Sequence, residues 1–423
     1  MADLALAIIF LCEYNVCQSV DVIVHSKGPH HINSCIEFRD LLWKNVALRE
    51  GAEGLPETSS ALVGAYTFPD YSVIIMDGAH QFGRKMYCWY WDRNWRQFGE
   101  PVESVVYPEF VVHCCRRSEA YYMSLSSEND TLLREYIPVV DRTINDPVYE
   151  FSFCLSPIYG NGTAWLLLTE MIEHYKLQGV QHFYIYVKNI DDYSKQILDS
   201  YVRSGEAEAI FLRKEMDRQG AQYQLVGVQD CLHRSRYHSR YVLFSDFDER
   251  ILALDGSSLF DFTMKKMTQN DRIGTIRFTT RFILRTAPSP TEYQGDETLQ
   301  EHLPTLVFHN TSPILPVGYA AKCLVDPKKV LTLGVHHVRV FFSDYTYSDI
   351  NTSEAIIWHY RIADSPWLNA KEEKLIVYGN FTLTHYPKHL LEPLYNNVKR
   401  RLDFVYLRNV TDNETMSLLG TEL

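Results

Sequence analysis

Three carboxylates stand within four residues at Asp246-Phe247-Asp248-Glu249, directly after the apolar run Tyr241 to Ser245 (YVLFS). In an extended segment alternate side chains share a face, so Asp246 and Asp248 are expected to point the same way. Two carboxylates at that spacing suit a hard divalent cation with oxygen ligands. An Asp-x-Asp pair alone is a weak signal, because Asp is also common in turns and caps that follow strands. Its weight depends on the elements that place it.

Those elements begin after Asp146-Pro147. FSFCLS (Phe151 to Ser156) reads as a strand, and a loop rich in Pro and Gly follows it. Next, TAWLLLTEMIEHYKLQG carries Trp165, Leu168, Ile172 and Tyr175 at helical spacing, with Gly179 as a stop. His182 to Val187 makes a second strand, Asp192 is placed to cap a helix, and Gly205 ends it. Ala207 to Arg213 makes a third strand. A helix with Leu225, Val228 and Leu232 on one face then leads into the fourth, Tyr241 to Ser245. Strands alternating with helices imply parallel strands joined by right-handed crossovers, hence an α/β sheet covered on both faces. Ligands of such sheets collect beyond the carboxyl ends of the strands, where Asp246 to Glu249 stand.

The chain before this region has another texture. From about Ala61 to Val140, short aromatic and β-branched runs are broken by turn signals, which predicts a small antiparallel β domain. Trp89, Trp91 and Trp95 are either its core or a platform for stacking sugars. The 423 residues, 46% hydrophobic, therefore divide into an N-terminal segment 1–54, a β-rich domain 55–146, an α/β domain 147–408 and a tail 409–423.

The formal charge is 41 − 53 = −12, the wrong sign for a protein that binds nucleic acid by releasing counterions, so no nucleic-acid partner is expected. A pocket for one diphosphate needs only a few charges or a metal ion and stays open. The nine cysteines lack the paired CxxC spacing of a zinc site. Asn-x-Ser/Thr occurs at Asn129, Asn161, Asn310, Asn351, Asn380, Asn409 and Asn413, an abundance that favours exposure to the secretory pathway and makes disulfides plausible. Leu4 to Cys12 is apolar enough for a truncated signal or anchor but too short to span a bilayer, and Asp3 replaces the expected basic flank; a buried strand is the other reading.

Two reaction classes place an Asp-x-Asp after a strand. A phosphatase of the haloacid type would have its nucleophile on an early strand and a Thr at the fifth position, where Arg250 stands here. In a nucleotide-sugar glycosyltransferase the carboxylates hold a metal that neutralises the charge of the departing diphosphate. From Phe151 to about Leu394 the chain resembles glycosyltransferase family 92. The resemblance rests on Gln229-Asp230-Cys231-Leu232, FSDFDERIL, Lys322-Cys323-Leu324-Val325-Asp326-Pro327, Gly334-Val335-His336 and His359-Tyr360-Arg361, in that order. It implies a GT-A fold, a Rossmann-like mixed α/β sheet with helices on both faces. It further implies a type II Golgi membrane protein and a metal-dependent, inverting β-1,4-galactosyltransferase. The donor would be UDP-galactose and the acceptor a terminal galactose or fucose of a glycoprotein glycan.

Carried over by position, Asp246 and Asp248 would be metal carboxylates, with Mn2+ as the ion. His336 would be the late histidine ligand, His337 its fallback, and Glu249 a support behind the ligands. The uridine is expected at Ser156 to Tyr159 and Asn189 to Asp192. Asp230 and Arg234 would reach the ribose or diphosphate, or else form a helix-surface ion pair. Lys322 and Arg361 would lie near the diphosphate. Inversion requires a carboxylate base, for which the loop TEYQGDETLQE offers Asp296 and Glu297. Two alternatives stand beside this reading: another UDP-sugar as donor, or a glycan-binding protein without turnover.

Overall fold

The computed structural model describes residues 42, 61–78, 81–129, 135–160, 162–212, 221–362 and 379–407. Leu4 to Cys12, Cys12, Cys17, Cys35, Asn161, Asn409, Asn413 and the tail lie outside them. Seven strands form the front sheet: β1 (Ala61–Thr67), β2 (Tyr71–Asp77), β3 (Lys85–Trp91), β4 (Val102–Val105), β5 (Val111–Cys115), β6 (Tyr122–Ser126) and β7 (Ile137–Asp141). Their order is β4-β3-β6-β7-β1-β2-β5, antiparallel except for the parallel pair β1 and β7. Cys88 of β3 and Cys114 of β5 are disulfide-bonded.

The second part opens with β8 (Tyr149–Ile158), α1 (Trp165–Leu177), β9 (His182–Val187), α2 (Asp192–Arg203), β10 (Ala207–Phe211), α3 (Ala221–Ser235) and β11 (Ser239–Ser245). The α2 cap is Asp191 rather than Asp192: its carboxylate accepts the Ser194 amide at 2.9 Å, which leaves Asp192 as the first helical residue. The chain continues through β12 (Glu249–Ala253), α4 (Leu259–Met267), β13 (Ile273–Phe278), β14 (Thr280–Arg285), α5 (Asp296–His302), α6 (Pro304–Val307) and β15 (Asn310–Thr311). The remaining elements of the described residues are β16 (Lys322–Val325), β17 (Val330–Leu333), β18 (Val338–Phe341), β19 (Thr346–Asp349), β20 (Ala355–Ile362), β21 (Thr382–Leu383), α7 (Lys388–Leu402) and a π-helical turn, Asp403–Leu407.

The main sheet runs β10-β9-β8-β11-β16-β13-β19. Strands β8 to β11 are parallel, and β16 is antiparallel to both of its neighbours. Alternate residues of each strand enter opposite cores, as pleating requires. Phe151, Phe153, Leu155, Phe183, Ile185 and Leu243 pack with α1 and α2 on one face. Cys154, Tyr184, Tyr186, Val242 and Phe244 pack with Tyr223, Val226 and Leu232 of α3 on the other. A second sheet, β12-β20-β14-β15-β21, adjoins the first.

Candidate active site

The chain crosses from the main sheet to the second sheet between β11 and β12, at the Asp-x-Asp segment. It is a turn there, closed by the Glu249 amide donating to the Asp246 carbonyl at 3.2 Å, and not the extended run expected from sequence. The change of sheet within four residues forces this reversal. Glu249 staples it: its buried carboxylate accepts the Ser245 hydroxyl at 2.6 Å and the Asp246 amide at 3.0 Å.

Each aspartate has its own cation. Lys322, buried on β16, donates from Nζ to Asp246 Oδ2 at 2.5 Å and lies 3.4 Å from Glu249 Oε2. Burial pushes the Asp246 carboxyl up, but Lys322 outweighs it and the pKa falls below the ordinary carboxylate value. Burial would lower the Lys322 pKa, and Asp246 and Glu249 raise it instead. Asp248 faces β20, where His359 Nε2 is 3.3 Å and Arg361 Nη1 3.9 Å from Oδ2. Against the penalty of burial, His359 and Arg361 hold Asp248 well below the usual carboxylate range. His359 also places Nδ1 3.3 Å from Glu249 Oε1, consistent with the antiparallel register that sets Glu249 opposite His359. Burial alone would lower the His359 pKa; Asp248 and Glu249 raise it. For Glu249, burial exceeds the pull of Lys322 and the pKa is raised.

His336 lies in the β17–β18 hairpin and directs Nδ1 at the Ala321 carbonyl, 2.8 Å away. A carbonyl only accepts, so Nδ1 carries the proton and Nε2 keeps its lone pair, the tautomer a metal ligand requires. Burial, reinforced by Lys322, lowers its pKa to about 4, so the ring is neutral near pH 7, and Asp246 is within electrostatic reach. His359, held between two carboxylates, is instead a clamp.

Among the described residues, no three His, Cys, Asp or Glu side chains form a ready metal cage. The donor set still fits a hard cation, because Mg2+-like ions are commonly bound through one or two carboxylates and complete their shell with phosphate oxygens and water.

Several other expectations meet different surroundings. Asp230 is fully buried and accepts from Tyr66 Oη (2.8 Å), Tyr186 Oη (2.6 Å) and Arg234 Nε (3.0 Å). Arg234 also pairs with Glu208 at 3.4 Å. Both Asp230 oxygens are engaged, and the bonds and ion pairs of the two residues run to β1, β9 and β10 and not to the Asp246–Glu249 turn, so the pair joins α3 to those strands. Asp296 Oδ1 accepts from Tyr395 Oη at 3.0 Å and Oδ2 from Gln300 at 2.7 Å. None of its bonds or ion pairs reaches the Asp246–Glu249 turn, so it ties α5 to α7, and Glu297 beside it is exposed.

The structure adds residues the sequence did not single out. Gln224 Nε2 on α3 is 3.4 Å from Asp246 Oδ1 and 3.3 Å from Ser156 Oγ. Tyr159, within the loop expected from sequence to meet the uridine, is exposed just after β8 and lies within electrostatic reach of Asp246, Arg361 and Asp248. Buried Arg285, at the end of β14, is within reach of Asp248. Period-two alternation would have found His359, since residues 359 and 361 share a face of one strand. Nothing local marks Gln224 or Arg285, which depend on strand order.

A mixed sheet of this order, covered on both faces and carrying an Asp-x-Asp turn at the carboxyl end of its fourth strand, is a GT-A glycosyltransferase domain. The chain belongs to glycosyltransferase family 92, whose sequence profile matches residues 149–394. It is 28% identical over 221 residues to the β-1,4-galactosyltransferase galt-1 of Caenorhabditis elegans, covering 50% of this chain and 48% of that protein. It is 27% identical over 174 residues to the galactan β-1,4-galactosyltransferase GALS1 of Arabidopsis thaliana, covering 36% and 35%. The chain thus spans about half or less of the length of these curated relatives. Among solved structures, S. aureus TarS 1-349 matches at TM-score 0.28 and 10% identity, over 63% of this chain and 77% of that one. Glucosyl-3-phosphoglycerate synthase from Mycobacterium tuberculosis matches at TM-score 0.25 and 10% identity, over 61% and 79%. Likeness at those TM-scores is too slight to bear on the fold.

Proposed function

We propose that this glycosyltransferase moves galactose from UDP-galactose to a terminal galactose or fucose of a glycoprotein glycan, with inversion and with Mn2+. The carrying observation is the Asp246–Glu249 turn with Lys322, His359 and Arg361 fixed around it; the galactosyltransferase relatives support the choice of sugar. Asp246, Asp248 and His336 Nε2 would hold the ion, which when bound neutralises charge growing on the diphosphate. Lys322 and Arg361 add fixed positive charge on the same wall, where it stabilises the leaving UDP without reorganisation. Tyr159 and Ser156 border the place where the uridine is expected. The displacement forms a bond from the acceptor oxygen to the anomeric carbon as the bond to the diphosphate breaks, and a carboxylate base takes the acceptor proton.

The purified chain should release UDP from UDP-galactose in the presence of a galactose- or fucose-ended glycan. Chelator should stop it and Mn2+ restore it. Asp248→Asn should lower kcat by at least about a hundredfold while the melting temperature in chelator stays near that of the parent. Turnover that survives both chelator and the substitution would remove the metal role, and a preference for another UDP-sugar in the same assay would replace the donor. We further place the protein in the Golgi lumen. Asn129, Asn310, Asn351 and Asn380 are all exposed, and the disulfides Cys88–Cys114 and Cys154–Cys231 suit an oxidising compartment. Endoglycosidase treatment should increase the electrophoretic mobility of the secretory-pathway product.

A further inference from the structure

We propose that the β1–β7 domain carries a glycan-binding ledge, formed by Trp95, Tyr122 and Tyr136 and suited to the C–H face of a neutral pyranose chain. Of the three tryptophans in this stretch, Trp89 and Trp91 are 9% and 7% exposed and belong to the domain interior, whereas Trp95 is 55% exposed. Trp95 sits at the tip of a rigid turn. Asp92 Oδ1 accepts the amides of Asn94 (2.8 Å) and Arg96 (2.9 Å), and the Asp92 amide donates to the Arg96 carbonyl at 3.0 Å. The backbone of Trp95 is at φ +59°, a conformation that an L residue with a bulky side chain seldom adopts. Strain of that kind at an exposed indole gains little from burial, and such outliers concentrate at ligand clamps.

The ring is also held in place. It stacks on Tyr122 with centroids 3.9 Å apart and planes 17° apart, and Tyr136 stands edge-on to both Trp95 (5.8 Å) and Trp91 (4.7 Å). Within described residues 61–141 the exposed large apolar side chains are Trp95, Tyr121 and Tyr136, with Arg93 lying 5.3 Å over Tyr121. All three are aromatic, the exposed aliphatic Ile144 comes after β7 and takes no part in their ring contacts, and Arg93, Asn94, Arg96 and Gln97 are exposed beside the rings. Fixed aromatic faces edged by amide and guanidinium donors match a sugar ring, which has an apolar face and a hydroxyl rim. A helical peptide or a lipid surface would instead call for an aliphatic groove or stripe. Placed in the same chain as the transferase, the ledge would raise the effective concentration of acceptor glycan; this last step rests on the proposed acceptor, whereas the binding does not.

The test is isothermal titration calorimetry of the full chain, without donor, using β-1,4-galactotetraose and a desialylated N-glycan. Saturable binding by at least one of them is expected, weakened about tenfold or more, the equivalent of one lost stacking contact, in both Trp95→Asn and Tyr136→Ala. Asp248→Asn should bind as the parent does. Because Asn tolerates the left-handed conformation, Trp95→Asn should melt no lower than the parent, which separates lost binding from lost folding. Absence of saturable binding, or parental binding by Trp95→Asn, overturns the ledge. UDP release from UDP-galactose reports separately on the catalytic reading: glycan binding without turnover would fail that reading alone, and turnover without binding would fail the ledge alone.

Discussion

At Asp248 a histidine and an arginine converge on one carboxylate, so removing His359 should be felt in metal use before it is felt in folding. His359→Gln keeps a hydrogen-bonding side chain on β20 but deletes the imidazole between Asp248 and Glu249. Orienting partners of metal ligands typically contribute about 10–100-fold to affinity or activity. The expected result is a loss of that size in kcat and a higher Mn2+ concentration for half-activation; parental Mn2+ dependence would show that His359 does not position Asp248. Asp296 calls for the opposite outcome. With its oxygens bonded to Tyr395 and Gln300, Asp296→Asn should lower the unfolding midpoint and leave kcat/KM unchanged. A hundredfold fall in kcat at constant midpoint would restore Asp296 as the base.

At the level of elements, α3 is the joint between the two parts of the chain. It presents Asp230 to Tyr66 of β1, and the approach is so close that a Cβ on Gly64 would collide with Asp230 Oδ1 and the Tyr66 hydroxyl. One turn nearer the helix start, Gly227 sits against Pro157 of β8, where a Cβ would approach the proline Cγ at 2.9 Å. That contact brings Gln224 up to Asp246. A fully buried hydrogen bond to a charged group is worth about 1.5–3 kcal/mol. Tyr66→Phe should therefore destabilise the protein by an amount of that order in urea unfolding while leaving the KM for UDP-galactose unchanged. A raised KM with parental stability would return Asp230 to the donor site.

For the whole molecule, acid should be the weak side. His113, His174 and His233 are fully buried, and burial, aided by Arg236 or Arg250, lowers each pKa, that of His113 to about 3. The unfolded chain takes these protons near pH 6.5 and the folded chain only far below it. Stability is therefore complete above about pH 6.5 and is lost as pH falls below it, by about 1.4 kcal/mol per pH unit for each such histidine. His359, with its raised pKa, acts in the opposite direction. Melting temperatures followed from pH 7.5 to 5 should decline, and His113→Gln should flatten the slope; a flat profile in the parent would show that these histidines do not control it. Sequence by itself determined the α/β succession, the two textures and the Asp-x-Asp-Glu at the end of the fourth strand, because pleat and helix periods and turn residues are local properties. Only the tertiary structure decided that the Asp-x-Asp is a turn between two sheets, that Asp230 is an interior latch and not a ligand contact, and that Trp95 faces out while Trp89 and Trp91 face in. Those outcomes depend on which strands become neighbours and on which side chains exhaust one another's hydrogen bonds. Both are long-range facts: Lys322 reaches Asp246 from 76 residues away and Tyr66 reaches Asp230 from 164.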